Sequence, residues 1–432
     1  EPQNSWIIPL QQPQYQLIKA LFESSQKFKD RVFYDVSSWN VAQAMDMDYA
    51  FVDRSDYNKS LLSAKLAARQ ATKQAPLQVE DTVIALAFDW QNMNSARLLT
   101  QMQQKNLRVQ AISKPSELKS GQASVQLEPG SLILPLNNQP LSRLEIIQWL
   151  TPKLQELSLQ AIKISSGLAI NGIDMGSPNA KVLKKVKPLL LIGDGTSSYA
   201  VGEIWHLFDQ RLTQPLSRMT LSQLSKLKTI DYSHLILAGN IPEFSDELNN
   251  RLTEWIKQGG VVIAHGKAVD WYAKQEWISS EIKEFKQTPD TKLAYSEKSQ
   301  TDAKHHIGGA IVATTIDTSH PLGFGLDNSA LAVFKRGQRV FSEPKEAFVA
   351  ASRFTKKPLI SGYMSKANQT HIAEGTSIIA QGLGKGKLIG FSDNPVFRGY
   401  WLGTAKVLVN ALYLAQLIDA PEKTAEEDKQ EK

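Results

Sequence analysis

The strongest local constraint in this 432-residue chain is the run from Lys187 to Arg211. It opens with Leu189–Ile192, an apolar run without alternation, as expected of a strand buried on both faces. Gly193, Asp194 and Gly195 break the run, and Thr196, Ser197 and Ser198 offer caps for a helix. Val201, Ile204, Trp205 and Phe208 then recur at three- and four-residue spacing, which predicts one apolar helix face. Strand, glycine turn and amphipathic helix form the first half of a βαβ unit. Its loop belongs at the carboxyl edge of a parallel sheet, where open α/β folds bind ligands.

Two chemical readings of this loop fail on spacing. A dinucleotide fingerprint needs a third glycine where Ser198 stands, and an acid about 20 residues on, where Thr213–Pro215 lie. A serine nucleophile at Ser197 or Ser198 would need the Gly-x-Ser-x-Gly elbow, which is absent. The loop therefore reads as a tight βα turn with a hydroxyl cap.

The length suits two or three domains, and 42% hydrophobic with 21% charged residues describes a globular chain. Its 49 basic and 43 acidic residues leave a net charge of +6 spread along the sequence. The densest basic cluster, Lys184, Lys185 and Lys187, has no aromatic ladder, so nucleic-acid binding is not expected. The chain has no cysteine, which excludes disulfides, thiolate metal sites and cysteine nucleophiles. No run approaches the ~18 apolar residues of a membrane span. No signal peptide opens the sequence, which reads from Glu1 as a mature or trimmed product.

Along the chain, Ser5–Leu10 reads as a strand and Pro13–Phe22 as a helix with Leu17, Ile18, Leu21 and Phe22 inward. Ser131–Pro140 repeats Ser5–Gln14, and a helix from Ile146 to Leu157 follows, a period of about 126 residues that suits duplicated domains. Before the second copy stand a strand (Thr82–Phe88), a helix (Asn92–Lys105) and another strand (Leu107–Ala111). The first copy has no such elements before it, so residues 1–30 read as the tail of a severed α/β unit. A surface helix is expected within Asp53–Val79. A strand and a Gly/Asn/Pro-rich connection over 158–186 place a domain boundary near 180. The βα period then resumes with strand Leu235–Gly239, helix Asp246–Gln258 and strand Val261–Ala264. Residues 271–340 read as irregular apart from a strand at Ala310–Thr315. A hairpin over Thr376–Phe391 and a last helix from Tyr400 to Leu417 follow. The expected units are thus 1–30, 31–180, 181–420 and a disordered tail, 421–432.

Histidine supplies no metal site by pattern. His371 and Glu374 fit His-x-x-Glu, but no histidine follows to be the third ligand. His305 and His306 read as loop residues, and His206 as a helix histidine. His265 ends a strand at the corner where an elbow nucleophile would stand, yet the corner reads His265-Gly-Lys-Ala268. If the last strand runs parallel, Asp393, Asn394 and Arg398 reach the same rim as Asp194, Ser197, Ser198 and His265. Such a rim suits a polar ligand such as a peptide or sugar. The competing use is structural, with Asp194 and Asp393 capping helices and Arg398 pairing with one of them.

Several stretches together resemble one family. Gly172–Pro178, Gly193–Tyr199, Gly202–Arg211 and Phe391–Arg398 carry the resemblance, with Phe33–Trp39 and Ala87–Arg97 beside them. They look like the region that follows the catalytic domain in large secreted bacterial proteins related to zinc carboxypeptidases of the carboxypeptidase A type. The resemblance runs from about Trp6 to Leu417 and has no counterpart here of the zinc peptidase domain. It implies a secreted or periplasmic accessory region with no metal or cofactor, binding a peptide, a glycan or the missing peptidase domain. From about 187 the chain also resembles the class I glutamine amidotransferase-like, flavodoxin-type fold. That family's cysteine nucleophile is absent, so only the scaffold carries over. The expectation is an α/β protein of two flavodoxin-like or amidotransferase-like parallel-sheet domains, non-catalytic, with a hydrolase working near Asp194, Ser197 and His265 as the alternative.

Overall fold

The computed structural model describes residues 5–28, 35–58, 60, 76–228, 230–286, 294–298 and 303–424. Most of the helix expected within Asp53–Val79, Phe33 and Tyr34 of one family motif, and the tail beyond Thr424 lie outside the described residues.

The parallel core expected from the Leu189–Ile192 run is present. Strands β9 (Pro188–Ile192), β10 (Ser217–Thr220), β11 (His234–Gly239), β12 (Val261–Gly266) and β17 (Gly386–Phe391) lie in the order β10-β9-β11-β12-β17, all parallel. An antiparallel extension continues from β17 through β16 (Thr376–Leu383), β15 (Ala350–Ser361), β13 (Ala310–Ile316) and β14 (Ala330–Lys335), making nine strands. Buried apolar side chains alternate between the two sheet faces, as strand geometry requires. One face packs on α5 (Ser198–His206) and α10 (Leu402–Tyr413) through Ile236, Ile263 and Ile389. The other packs on α6 (Leu221–Lys226), α7 (Asp246–Lys257) and α8 (Asp270–Lys274) through Leu189, Leu235, Val262 and Leu388. This is a sheet between helical layers, as in amidotransferase-like α/β folds.

The first half is also α/β, but its sheet corrects the parallel expectation. Strands β1 (Ala85–Phe88), β2 (Gln110–Ile112), β5 (Leu132–Pro135), β6 (Ile162–Ile164) and β8 (Ala180–Val182) form the order β6-β1-β5-β2-β8, with every pairing antiparallel. The physical reason lies in the connections. A helix, α3 (Met93–Gln104), crosses from β1 to β2, so those two share a direction. A hairpin of β3 (Ser116–Ser120) and β4 (Ala123–Leu127) then returns the chain, and β5 enters between β1 and β2 from the opposite end. Helices α3 and α4 (Arg143–Leu157) cover one face. A three-stranded sheet, β4-β3-β7 with β7 at Ala169–Gly172, covers the other through Leu118 and Leu127.

Other expectations shift. Ser5–Leu10 forms no strand, and α1 (Tyr15–Phe22) buries none of its residues, with Leu17 56% and Leu21 36% exposed. Trp205 leaves the apolar face of α5 and stands exposed under the guanidinium of Arg218, 4.0 Å from its ring. The region expected to be irregular holds β14, and β15 follows it with twelve residues. Lys356, Lys357 and Pro358 disguise β15 in the sequence. Pro421, assigned to the disordered tail, instead accepts hydrogen bonds from Gly382 N at 2.8 Å and Gln381 Nε2 at 2.7 Å.

The two halves share one buried cluster, running from Val83 to Ile418. At its centre every residue of α10 from Gly403 to Tyr413 is buried. Asn410 ties the seam: its Oδ1 accepts from Trp90 Nε1 at 2.7 Å, and its Nδ2 donates to Leu322 O and Phe324 O, each at 2.8 Å. Replacing it by leucine would strand three buried polar groups, each at about 1–3 kcal/mol. Asn410→Leu is therefore expected to lower the unfolding free energy by roughly 3 kcal/mol or more, read from urea titrations of both proteins.

Candidate functional site

The carboxyl ends of β9, β11, β12 and β17 point the same way, so the loops after them gather along one edge. Their closeness depends on glycine. A Cβ on Gly239 would stand 2.9 Å from the Cβ of Ser197 and 3.0 Å from that of Ala200. The start of α5 is thus pressed directly on the end of β11, where only a bare backbone fits. Gly266, at the end of β12, lies against the carbonyl of Gly239, 3.3 Å from where its own Cβ would be. The turn before α5 is closed by Thr196 Oγ1, which donates to Gly193 O at 2.6 Å. Asn240 Nδ2 adds a bond to Gly195 O at 2.9 Å. The Asp194–Ser198 turn and the His265–Lys267 corner therefore meet across the end of β11, as the parallel topology requires.

The side chains at this edge do not converge. Asp194 is exposed and makes no hydrogen bond to a described residue. Ser197 occupies the N-cap of α5 but its hydroxyl makes no capping bond, and Ser198 is exposed on the first turn. His265 is 3% exposed, and neither ring nitrogen has a partner among the described residues. Its alternation with Ile263 turns it toward the α5 face of the sheet. Desolvation pushes the imidazole down to about 4, so it is held neutral. No base–nucleophile hydrogen bond joins it to Ser197 or Asp194.

The Asp393–Arg398 loop is built into the frame. Asp393 turns away to Lys335 Nζ, its carboxylate oxygens at 3.1 and 3.0 Å, and both side chains are almost fully buried. Ser392 Oγ and Arg336 N also donate to it, at 2.8 and 3.3 Å. Burial pushes the Lys335 ammonium below its ordinary range, while the facing carboxylate acts against that shift. Since Lys335 ends the far edge strand, the antiparallel extension folds back across the end of the sheet. Asn394 does the local turn work expected of the aspartate: its Oδ1 accepts from Val396 N at 3.0 Å. Arg398 pairs with Asp35 at 3.0 Å rather than with Asp194 or Asp393, and its guanidinium lies over Trp39 and Phe397. That pairing holds the Asp35 carboxyl below its usual range.

The residue that joins these parts is Glu203, on α5, which the sequence reading did not single out. Its Oε1 accepts from Arg398 N at 2.7 Å, and its Oε2 accepts from Asn394 Nδ2. Burial raises its carboxyl while these bonds oppose the rise. Arg398 itself sits at φ 50° and ψ 22°, a left-handed conformation that the Glu203 bond to its amide helps to hold. The signal available in the sequence was weak: Glu203 is the one acid of α5, and it lies off the face formed by Val201, Ile204, Trp205 and Phe208.

No group of three or more histidine, aspartate or glutamate side chains among the described residues could hold a metal ion. His371 closes the helix α9 (Lys366–Ile372), and its Nε2 lies 3.0 Å from the carbonyl of Gln338. Glu374 falls outside that helix at φ 59° and is exposed, so the pair shares no helical face. No helix of the described residues is long and apolar enough to cross a membrane.

No family model matches the chain, and no curated protein matches it. Among solved structures it is similar to a ThuA-like protein from Bacteroides uniformis, with 13% identity, 55% of this chain and 94% of that one covered, and a TM-score of 0.34. A ThuA-like protein from Parabacteroides merdae shows 15% identity over 52% of this chain and 90% of its own, with a TM-score of 0.34. A cytoplasmic protein of Salmonella typhimurium shows 13% identity over 52% and 98%, with a TM-score of 0.32. The fold assignment itself stands on the strand order and pairing given above.

The buried imidazole has a pH signature. The unfolded chain protonates His265 near 6.5 and the folded chain near 4, so the unfolded state binds more protons between those values. Stability is then full above about pH 6.5 and falls as pH drops toward 4, by up to about 3 kcal/mol from this residue. His265→Phe is expected to reduce the measured slope, the remainder coming from His234 and His320, which burial also lowers, and to leave neutral-pH stability unchanged or higher, as measured by denaturant unfolding from pH 4 to 7.

Proposed function

We propose that this chain is a non-catalytic binding or scaffolding module, the accessory region of a secreted carboxypeptidase-like protein. The observation that carries the reading is the isolation of His265. The histidine at the strand corner is buried and neutral, and its ring nitrogens have no partner among the described residues. Acid–base catalysis needs a base within hydrogen-bond reach of a nucleophile or a substrate proton. Around it, Asp393, Asn394, Arg398 and Glu203 are spent on holding loops to one another. The motif resemblance supports the carboxypeptidase-related parent, a secreted or periplasmic setting, and a peptide, a glycan or the peptidase domain as partner.

The test is to incubate the purified chain with panels of peptide, ester and glycoside substrates and to measure bound zinc in the same preparation. No turnover and no stoichiometric zinc are expected. Turnover abolished by Ser197→Ala or His265→Ala, or zinc lost on His371→Ala, would replace this reading with a hydrolase.

A further inference from the structure

The internal repeat places one sequence pattern in two surroundings. Residues 5–10 and 131–136 both read serine, apolar, isoleucine, apolar, proline, leucine. In the second copy Leu132, Ile133, Leu134 and Leu136 are 0, 1, 0 and 2% exposed. They are covered because β5 lies between β1 and β2, antiparallel to both, with α3 crossing over. In the first copy Trp6, Ile7, Ile8 and Leu10 are 68, 41, 50 and 40% exposed. Trp6, Ile7 and Ile8 make no backbone hydrogen bond to a described residue.

The helices that follow repeat the contrast. Helix α4 buries Ile146, Leu150, Leu154 and Leu157, whereas α1 buries nothing. Ile18 and Phe22 of α1 are half-buried, with Phe22 against Tyr49, but Leu17 and Leu21 stay exposed beside the uncovered strand-like segment, an edge awaiting a sheet. The second copy shows what covers such an edge: a strand–helix–strand unit, one strand on each side and the helix across one face.

We propose that residues 5–22 are the docking half of an α/β unit completed by a second protein unit. That unit is built like Ala85–Ile112, with two strands flanking Trp6–Ile8 in antiparallel register and a helix against α1. The proposal rests on the binding-module reading and names the class of its partner. A second copy of this chain does not supply these parts, because its own β1–α3–β2 gap is filled by β5. Strand-to-strand pairing of two identical segments would cover one edge only and leave α1 open. A lone extended peptide has the same shortfall.

The absence of cysteine makes the test direct. In the full chain Ile8→Cys, or Trp6→Cys as a second reporter, carries the sole thiol at an exposed position. Its rate of labelling by an aromatic disulfide reagent is compared with that of the same chain carrying a copy of residues 80–114 on a flexible N-terminal linker. Tethering raises the effective concentration of the added unit, so slowing by about 10-fold or more is expected at both positions. The same fusion with Ala87→Pro in the added copy, which removes a strand donor, should label at the original rate. Equal rates with and without the added unit would overturn the proposal. So would slowing in the untethered chain that grows with protein concentration, which would identify a second copy as the occupant. Discovery of hydrolase activity would overturn the binding-module reading and leave the labelling result intact, so the two failures are separable.

Discussion

A helix buried on every side has to satisfy its polar side chains inside the protein, and α10 is such a helix. Its polar groups reach several distant parts of the chain. Thr404 Oγ1 donates to Pro395 O at 2.6 Å, which fixes the loop after β17. Lys406 donates to the Trp90 carbonyl, with its ammonium 4.4 Å from the Trp90 ring, and burial pushes it down to about 7. Asn410 holds Trp90 and the turn around Phe324. The hydroxyl of Tyr413 reaches Gln214 after α5 and Thr100 on α3. Two sheets of different construction are thereby joined through one helix whose polar groups are bonded on both sides of the seam. An unmatched partner anywhere in this set leaves a dry, unpaired group, so the arrangement specifies one docking of the halves.

The carboxyl edge shows the same economy applied to a place where ligands usually bind. Parallel strands bring the corners together, and glycine lets them touch. The polar groups then go to the frame. Glu203 clamps the Asn394–Arg398 loop, Asp393 closes on Lys335 across the sheet end, and Arg398 reaches back to Asp35. The buried Lys335–Asp393 pair has the mutual bonds that a desolvated ion pair requires to persist. Asp194 and the hydroxyls of Ser197 and Ser198 are what the edge keeps without a hydrogen bond among the described residues.

The contrast between the two copies of the repeat carries a general point about strands. The apolar pattern of residues 5–10 is as strand-like as that of 131–136, yet among the described residues only the latter has strands to pair with. Strand formation depends on hydrogen bonds to other segments, so the pattern states a capacity and the surroundings decide whether it is realised. The exposed side chains from Trp6 to Leu21 are the visible consequence.

Local chemistry was legible in the sequence. Unbroken apolar runs identified β9, β11 and β12, and glycine and hydroxyl spacing placed the turn before α5. The sequence also showed no cysteine for a thiol-dependent amidotransferase route and no histidine after His371 to complete a ligand set. These follow from short-range rules: side-chain periodicity, turn sterics and ligand count. Direction and partnership were not legible. Whether β5 runs with or against β1, where Asp393 turns, and which carboxylate takes Arg398 depend on residues tens to hundreds of positions away. Burial at those distances is set by how the sheets close on α10. His265 shows the division most plainly. Its place at the corner of a parallel strand was written in the sequence, but the tertiary packing buried it, held it neutral and left both ring nitrogens without a partner among the described residues.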